Sequence, residues 1–156
     1  MPIAAPPLDT ALRLVGVPHP APVLDRAEAV FERTGMPDTD NRRIGEVRRL
    51  VSARLGLWGL HEFTDAATLL SSELVTNALT HADGEMIRVR LYWTELYLCL
   101  EVHDGGDGDL LLRPAALLDE SGRGLGIVDS IATGWGRTQD HAGVWCTLSL
   151  CDEEAM

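Results

Sequence analysis

Hydrophobic and polar residues alternate strictly in two stretches near the middle of the chain. Apolar side chains occupy every second position over residues 87–93 and again over residues 96–102. This period of two is typical of β-strands that are buried on one face. Only Thr94 and Glu95 separate the stretches, so we expect a tight turn and an antiparallel hairpin.

Two helical patterns precede the hairpin. Asp40 is expected to cap a helix that ends near Gly56, and Thr64 to cap a second helix over residues 65–82. At 100° per residue, apolar residues gather on one side of the second helix. Glu73, Asn77 and Thr80 gather on the opposite side, with apolar neighbours, so we expect this polar stripe to face a pocket.

The remaining segments complete a mixed pattern of helices and strands. We expect an edge strand over residues 30–34, a helix start over residues 126–132, and final strands over residues 135–138 and 144–150. The order predicts an α+β fold: a two-layer α/β sandwich with a mixed, mostly antiparallel sheet and helices on one face.

Proline content suggests where the domain begins. Residues 1–28 contain six of the eight prolines and are predicted to be an extension. The domain is expected over residues 29–151, with a tail over residues 152–156.

Composition narrows the classes of partner. The net charge of −11 disfavours nucleic acid and anionic membrane surfaces, both of which attract Lys and Arg clusters. No apolar run approaches the roughly 20 residues of a membrane span, and the N-terminal residues lack a signal-peptide pattern. Three cysteines without a CxxC pair indicate reduced thiols. We therefore expect a cytoplasmic protein.

The polar stripe of the second helix carries the first candidate chemistry. Glu73, Asn77 and His81 are spaced four residues apart and so point the same way. An Asn carbonyl is a suitable Mg²⁺ ligand, and a Glu one turn earlier could deprotonate a nucleophile that attacks a γ-phosphate. ExxxN is common, however, and by itself indicates only a polar helix face.

Two glycine-rich segments follow. In the first, Asp104 comes directly after a predicted strand, and Gly106 and Gly108 let the backbone approach a ligand. Such a carboxylate can accept a hydrogen bond from the exocyclic amine of adenine, although the segment also has the composition of an ordinary turn.

The second glycine-rich segment, GRGLG at residues 122–126, precedes the predicted third helix. Backbone N–H groups at a helix start bind anions, and Arg123 could add a contact to phosphate. The segment is neither a Walker loop nor a Rossmann fingerprint, because no GK[ST] follows and it lies late in the chain.

In this order, ELVTNALTHA (residues 73–82), DGGDG (residues 104–108) and GRGLGIV (residues 122–128) resemble the boxes of a known ATPase superfamily. It includes gyrase, the heat-shock chaperone ATPase, histidine sensor kinases and mismatch-repair ATPases, and its fold is the Bergerat type. The chain is most similar to the stand-alone branch of anti-sigma-factor serine kinases and their actinobacterial relatives.

The resemblance implies ATP and Mg²⁺ as cofactors. It further implies transfer of the γ-phosphate to a Ser or Thr of an antagonist protein, sequestration of a sigma factor, and a homodimer. Glu73 would be the general base and Asn77 the Mg²⁺ ligand. The implied nucleotide-binding residues are Asn77, His81, Asp104, Gly106, Gly108, Gly122, Arg123, Gly124, Leu125 and Gly126.

One departure from the family pattern stands before the last strand. The branch usually has a Gly-Lys-Thr-like run there, and the Thr hydroxyl helps to hold adenine. Here Gly143 occupies the Thr position, so weaker ATP binding is expected.

Other readings remain open. A non-catalytic interaction module of the same fold is the main alternative to a kinase. A severed sensor-kinase domain is disfavoured because the first 28 residues cannot supply a phospho-accepting helical hairpin. A hydrolase lacks a recognisable nucleophile.

Overall fold

The computed structural model describes residues 22–81, 85–104, 122–138 and 143–151, with the backbone alone described for residues 81 and 122–125. The elements in this part of the chain are β1 (Asp25–Glu32), α1 (Pro37–Trp58), a 3₁₀ helix (His61–Phe63), α2 (Thr64–His81), β2 (Met86–Trp93), β3 (Tyr97–His103), α3 (Gly122–Ile131), β4 (Gly134–Arg137) and β5 (Gly143–Ser149).

The five strands form one sheet in the order β1-β2-β3-β5-β4, and each of these neighbouring pairs is antiparallel. β5 lies between β3 and β4, so the chain crosses from β3 to the far edge before it returns. The predicted α+β sandwich is confirmed, and so is the hairpin of β2 and β3. At the hairpin turn, the Thr94 hydroxyl accepts the backbone N–H groups of Leu96 and Tyr97.

The alternation of the strands decides which face of the sheet meets the helices. One face of β2, β3 and β5 contributes apolar side chains to the core, and α1, α2 and α3 pack against the same core. The fully buried members of this core include Val51, Leu55, Leu74 and Val128. Helices on one face, as predicted, therefore follow from the period of two in the strands and of 3.6 in the helices.

The first helix begins four residues earlier than predicted, at Pro37, and Asp40 is not its N-cap. Pro is favoured in the first helical turn because its missing N–H has no intrahelical acceptor there. Asp40 is nevertheless buried, and its Oδ1 accepts the backbone N–H of Thr34 at 3.2 Å and the Thr34 hydroxyl at 2.9 Å. It therefore fixes the connection between β1 and α1.

The same helix ends at Trp58, beyond the predicted Gly56. Gly59 adopts φ 74°, its N–H bonds the Gly56 carbonyl, and the Leu60 N–H bonds the Leu55 carbonyl. This is the Schellman pattern, in which a left-handed glycine satisfies the last carbonyls of a helix. Two glycines lay near the expected end, and the one with the left-handed backbone terminates the helix.

Two other predicted boundaries differ. Thr64 already has helical backbone angles (φ −60°, ψ −47°) after the 3₁₀ turn, so it does not cap α2. β1 spans Asp25–Glu32 and not the predicted residues 30–34, and it lies at one edge of the sheet, as predicted. In the part of the chain that the structure describes, no helix has the length and apolar character needed to cross a bilayer.

Candidate functional site

Glu73 and Asn77 lie one turn apart on α2, and both side chains are half-buried. The Asn77 Oδ1 atom is shielded from solvent and accepts no hydrogen bond in the described part of the chain. A buried acceptor without a donor costs about 1–3 kcal/mol. Because an amide oxygen is also a hard ligand for Mg²⁺, Asn77 fits the metal role that the sequence predicts for it.

Of the three residues in the predicted polar stripe, Glu73 and Asn77 are half-buried, whereas Thr80 is not. Thr80 is exposed, and its hydroxyl donates to the Thr76 carbonyl at 2.8 Å on the same helix. His81 is the last residue of α2, and the structure describes its backbone alone.

Asp104 directly follows β3 and is half-buried. Leu98, Leu100 and Val102 of β3 point into the helical core. Because strand side chains alternate, the next position on the helix side is Asp104. Asp104 therefore lies where the sequence places it, directly after a buried strand.

The C-terminal end of α2 and the C-terminal end of β3 lie at the same end of the sheet. Only residues 82–85 connect α2 to β2, and the first part of β2 pairs with the last part of β3, with Arg88 opposite His103. At the other end, a small gap under α2 is lined by Ala67 and Leu70 together with Leu98 and Leu100.

Distances along the two elements agree with this arrangement. From Leu70 to Asn77 the helix rises about 10 Å, and from Leu100 to Asp104 an extended chain advances about 13 Å. Asn77 and Asp104 therefore lie toward one end of the molecule.

The second glycine-rich segment was predicted to precede the third helix. It instead forms the first turns of that helix. α3 begins at Gly122, so the box is helical from its first glycine. The first N–H groups of a helix have no intrahelical acceptor, which leaves the segment able to bind an anion. Val128 is fully buried and anchors α3 in the core. Trp135 Nε1 donates to Asp129 Oδ1 at 2.9 Å and ties α3 to β4.

Packing does not explain the glycine at position 126. A Cβ atom there would meet nothing within 4 Å, and the residue is exposed. The side chains of Arg123 and Leu125 are not among the described atoms, and Gly106 and Gly108 lie outside the described residues.

A model of the histidine kinase-like ATPase domain family matches residues 22–150. The chain belongs to this family. The match includes every described helix and strand, and the family implies ATP binding. Among curated proteins, none matches the chain.

Within this ATPase domain, the described residues include no group of three or more His, Cys, Asp or Glu side chains that could hold a metal ion. In that part of the chain, a cation at Asn77 would need ligands from the nucleotide and from water. Mg²⁺ commonly binds in this way, with one or two protein ligands and the phosphates of its substrate.

At the start of β5, Gly143 stands where the resembled branch usually has a Thr, and it lies close to the backbone of β3. A Cβ atom at this position would lie 2.5 Å from the Val102 carbonyl oxygen and 2.9 Å from His103 Cα. The site predicted to lack the adenine-binding Thr therefore has no room for any side chain. A nearby threonine, Thr138, is buried, and its Oγ1 accepts the Gly143 N–H at 3.1 Å.

A buried polar cluster, which the sequence did not reveal, lies on the face of the sheet away from the helices. Glu101 is 1% exposed; its Oε1 lies 2.9 Å from His103 Nε2 and 3.6 Å from an Arg90 guanidinium nitrogen, and its Oε2 accepts the Tyr92 hydroxyl. Burial, together with the charge of Glu101, raises the pKa of Tyr92 above its ordinary range. Because His103 precedes Asp104, the cluster holds the backbone that presents the candidate base-reading carboxylate.

Arg137 is a second residue that the sequence did not single out. It lies at the end of β4, half-buried, and pairs with Val144 of β5. Burial lowers the pKa of its guanidinium, and the negative charge of Asp104 opposes this shift. Only the pairing of β4 with β5 brings the two charges close. The one sequence pattern that could have indicated Arg137 was its alternation with Trp135 in a short strand.

Proposed function

We propose that this ATPase domain binds ATP with Mg²⁺ and acts as a cytoplasmic regulatory serine/threonine kinase. The phosphate would be transferred to a Ser or Thr of an antagonist protein. The kinase would also sequester a second partner, a sigma factor, and it would work as a homodimer. The observation that carries nucleotide and metal binding is the buried Asn77 Oδ1 without a donor on α2. The kinase activity and the partners rest on the family resemblance.

The proposal gives each residue of α2 a distinct part. Asn77 would ligate Mg²⁺, which when bound neutralises phosphate charge. Glu73 would accept the proton of the attacking hydroxyl, whose oxygen bonds the γ-phosphorus while the bond to the ADP oxygen breaks. Support for this division is their spacing, one turn apart on the half-buried side of one helix.

The base and phosphates would be held by groups from other elements. Asp104 would accept the exocyclic amine of adenine, and the N–H groups at the start of α3 would meet phosphate. The position of Asp104 on the helix side of the sheet and the helical start at Gly122 support these assignments.

Calorimetric titration tests nucleotide binding. Wild-type protein should bind ATP more tightly with Mg²⁺ than with EDTA, and Asn77→Ala should lose that difference. Thr80→Ala, an exposed change on the same helix, is the matched control and should behave as wild type. Absence of binding heat at millimolar ATP, or an Asn77→Ala variant that keeps the full Mg²⁺ effect, would refute the proposal.

A second candidate is a binding module without phosphoryl transfer, and the lack of space for a Thr at Gly143 favours it. The two candidates differ in one assay. With γ-labelled ATP and partner protein purified from native extract, a kinase transfers label, and Glu73→Ala abolishes transfer while ATP binding remains. Firm, nucleotide-dependent partner binding without label transfer in wild type would select the module.

A further inference from the structure

Arg137 occupies a position from which it can act beside Asp104. Cross-strand pairing places Arg137 opposite Val144, and Val144 opposite Val102 of β3. Val102 and Val144 both point into the helical core, so Arg137 projects from the same face. Asp104 follows Val102 by two positions on that face. Alternate strands lie about 10 Å apart, a separation that the long arginine side chain and the aspartate can bridge together.

The pairing of β4 with β5 is held independently of the arginine side chain. Trp145 Nε1 donates to the main-chain carbonyl of Arg137 at 3.1 Å, and the neighbouring Thr138 closes the strand end on Gly143. A half-buried guanidinium loses part of its hydration, and a nearby anion or acceptor compensates for that loss. Among the described residues, Asp104 is the acidic group whose charge raises the pKa of Arg137, against the effect of burial.

We propose that Arg137 is a specificity-determining residue that reads the adenine base together with Asp104. This inference rests on the proposed ATP binding. The Watson–Crick edge of adenine presents a donor, the exocyclic amine, beside an acceptor, N1. Asp104 accepts from the amine and Arg137 donates to N1, so the carboxylate and guanidinium form the complementary acceptor and donor.

This assignment also accounts for the missing threonine. Gly143 has no room for a hydroxyl-bearing side chain, and the Thr138 hydroxyl bonds the Gly143 N–H. Arg137, from the adjacent strand, supplies a donor at this end of the sheet. Guanine presents an acceptor and a donor in the reverse order, so the Asp104–Arg137 pair selects against it.

The test compares ATP with its 1-deaza analogue, which replaces N1 by C–H, and uses Arg137→Met and Arg137→Lys. The control is Arg88→Met, which removes an exposed arginine from the opposite face of the sheet. Affinities for ATP, 1-deaza-ATP and GTP are measured by calorimetry, and circular dichroism checks that each variant is folded.

In wild type, we expect ATP to bind about tenfold more tightly than 1-deaza-ATP, as for a hydrogen bond from a charged donor. Arg137→Met should lose this preference by weakening ATP alone, and should bind GTP relatively better. Arg137→Lys should keep part of the preference, and Arg88→Met all of it. Equal losses for ATP and 1-deaza-ATP in a folded Arg137→Met would reduce Arg137 to a structural role and overturn the inference. Failure of wild type to bind ATP would instead overturn the proposed function.

Discussion

Replacing Gly143 by alanine should destabilise this ATPase domain far more than one methyl group ordinarily does. The added Cβ would lie 2.5 Å from the Val102 carbonyl oxygen and 2.9 Å from His103 Cα. Both atoms belong to the backbone of β3, which is paired on either side by β2 and β5. A flexible side chain could rotate away, whereas here a central strand would have to move.

The expected cost follows from these contacts. Overpacking a well-packed site costs about 1–3 kcal/mol, and the upper part of that range applies because neither backbone atom can move alone. For a domain of this size, about 3 kcal/mol corresponds to a fall in Tm of roughly 6–12 °C. The displaced strand end carries Asp104, so ATP affinity should fall as well.

Urea unfolding followed by circular dichroism measures the change in the free energy of unfolding. Gly45→Ala is the matched control, since its Cβ would lie 3.5 Å from a guanidinium nitrogen of Arg49, an ordinary contact, within α1. That change should stabilise by about 1 kcal/mol because alanine favours helix. Gly143→Thr, which inserts the residue typical of the resembled branch, should be at least as destabilised as Gly143→Ala and gain no ATP affinity. A Gly143→Ala variant within about 0.5 kcal/mol of wild type would show that the steric argument is wrong.

Three further outcomes are expected. Glu101→Ala should cost about 3–5 kcal/mol in urea unfolding, because it leaves buried polar partners without their acceptor; a loss below about 1 kcal/mol would contradict the cluster. In a thiol-reagent assay the exposed Cys151 should react rapidly in the native state, whereas Cys99 and Cys146 should react only on unfolding. Burial raises the pKa of both of these thiols, that of Cys146 to about 12. Three equally fast thiols would refute this burial. Gly59→Ala should cost about 1 kcal/mol, because φ 74° disfavours a Cβ, and an unchanged unfolding free energy would argue against the left-handed cap.

Local pattern was sufficient for much of the fold. The hairpin, the side of each strand that faces the core, and the helical spacing of Glu73 and Asn77 all depend on residues close in sequence. The order of the acid–amide helix and the two glycine segments was also enough to indicate the ATPase family. Periods of 2 and 3.6 are properties of the backbone, which is why a sequence alone reveals them.

The ends of α1 depended on hydrogen bonds and backbone angles that the residue types alone did not indicate. Asp40 is a residue type that often caps helices, but its carboxylate accepts hydrogen bonds from Thr34 and the residue lies inside α1. Of two candidate glycines, Gly59 ends that helix because its backbone is left-handed. Such choices are settled by energies of about 1 kcal/mol, which tertiary contacts readily override.

The sequence by itself determined the element types, the side of each strand that faces the helices, and the family of this protein. Only the tertiary structure decided that β5 lies between β3 and β4, that Gly143 abuts the backbone of β3, and that the charge of Asp104 reaches the guanidinium of Arg137. Side-chain periods are set within a few residues, whereas the pairings of β1 with β2 and of β3 with β5 join segments more than 30 residues apart.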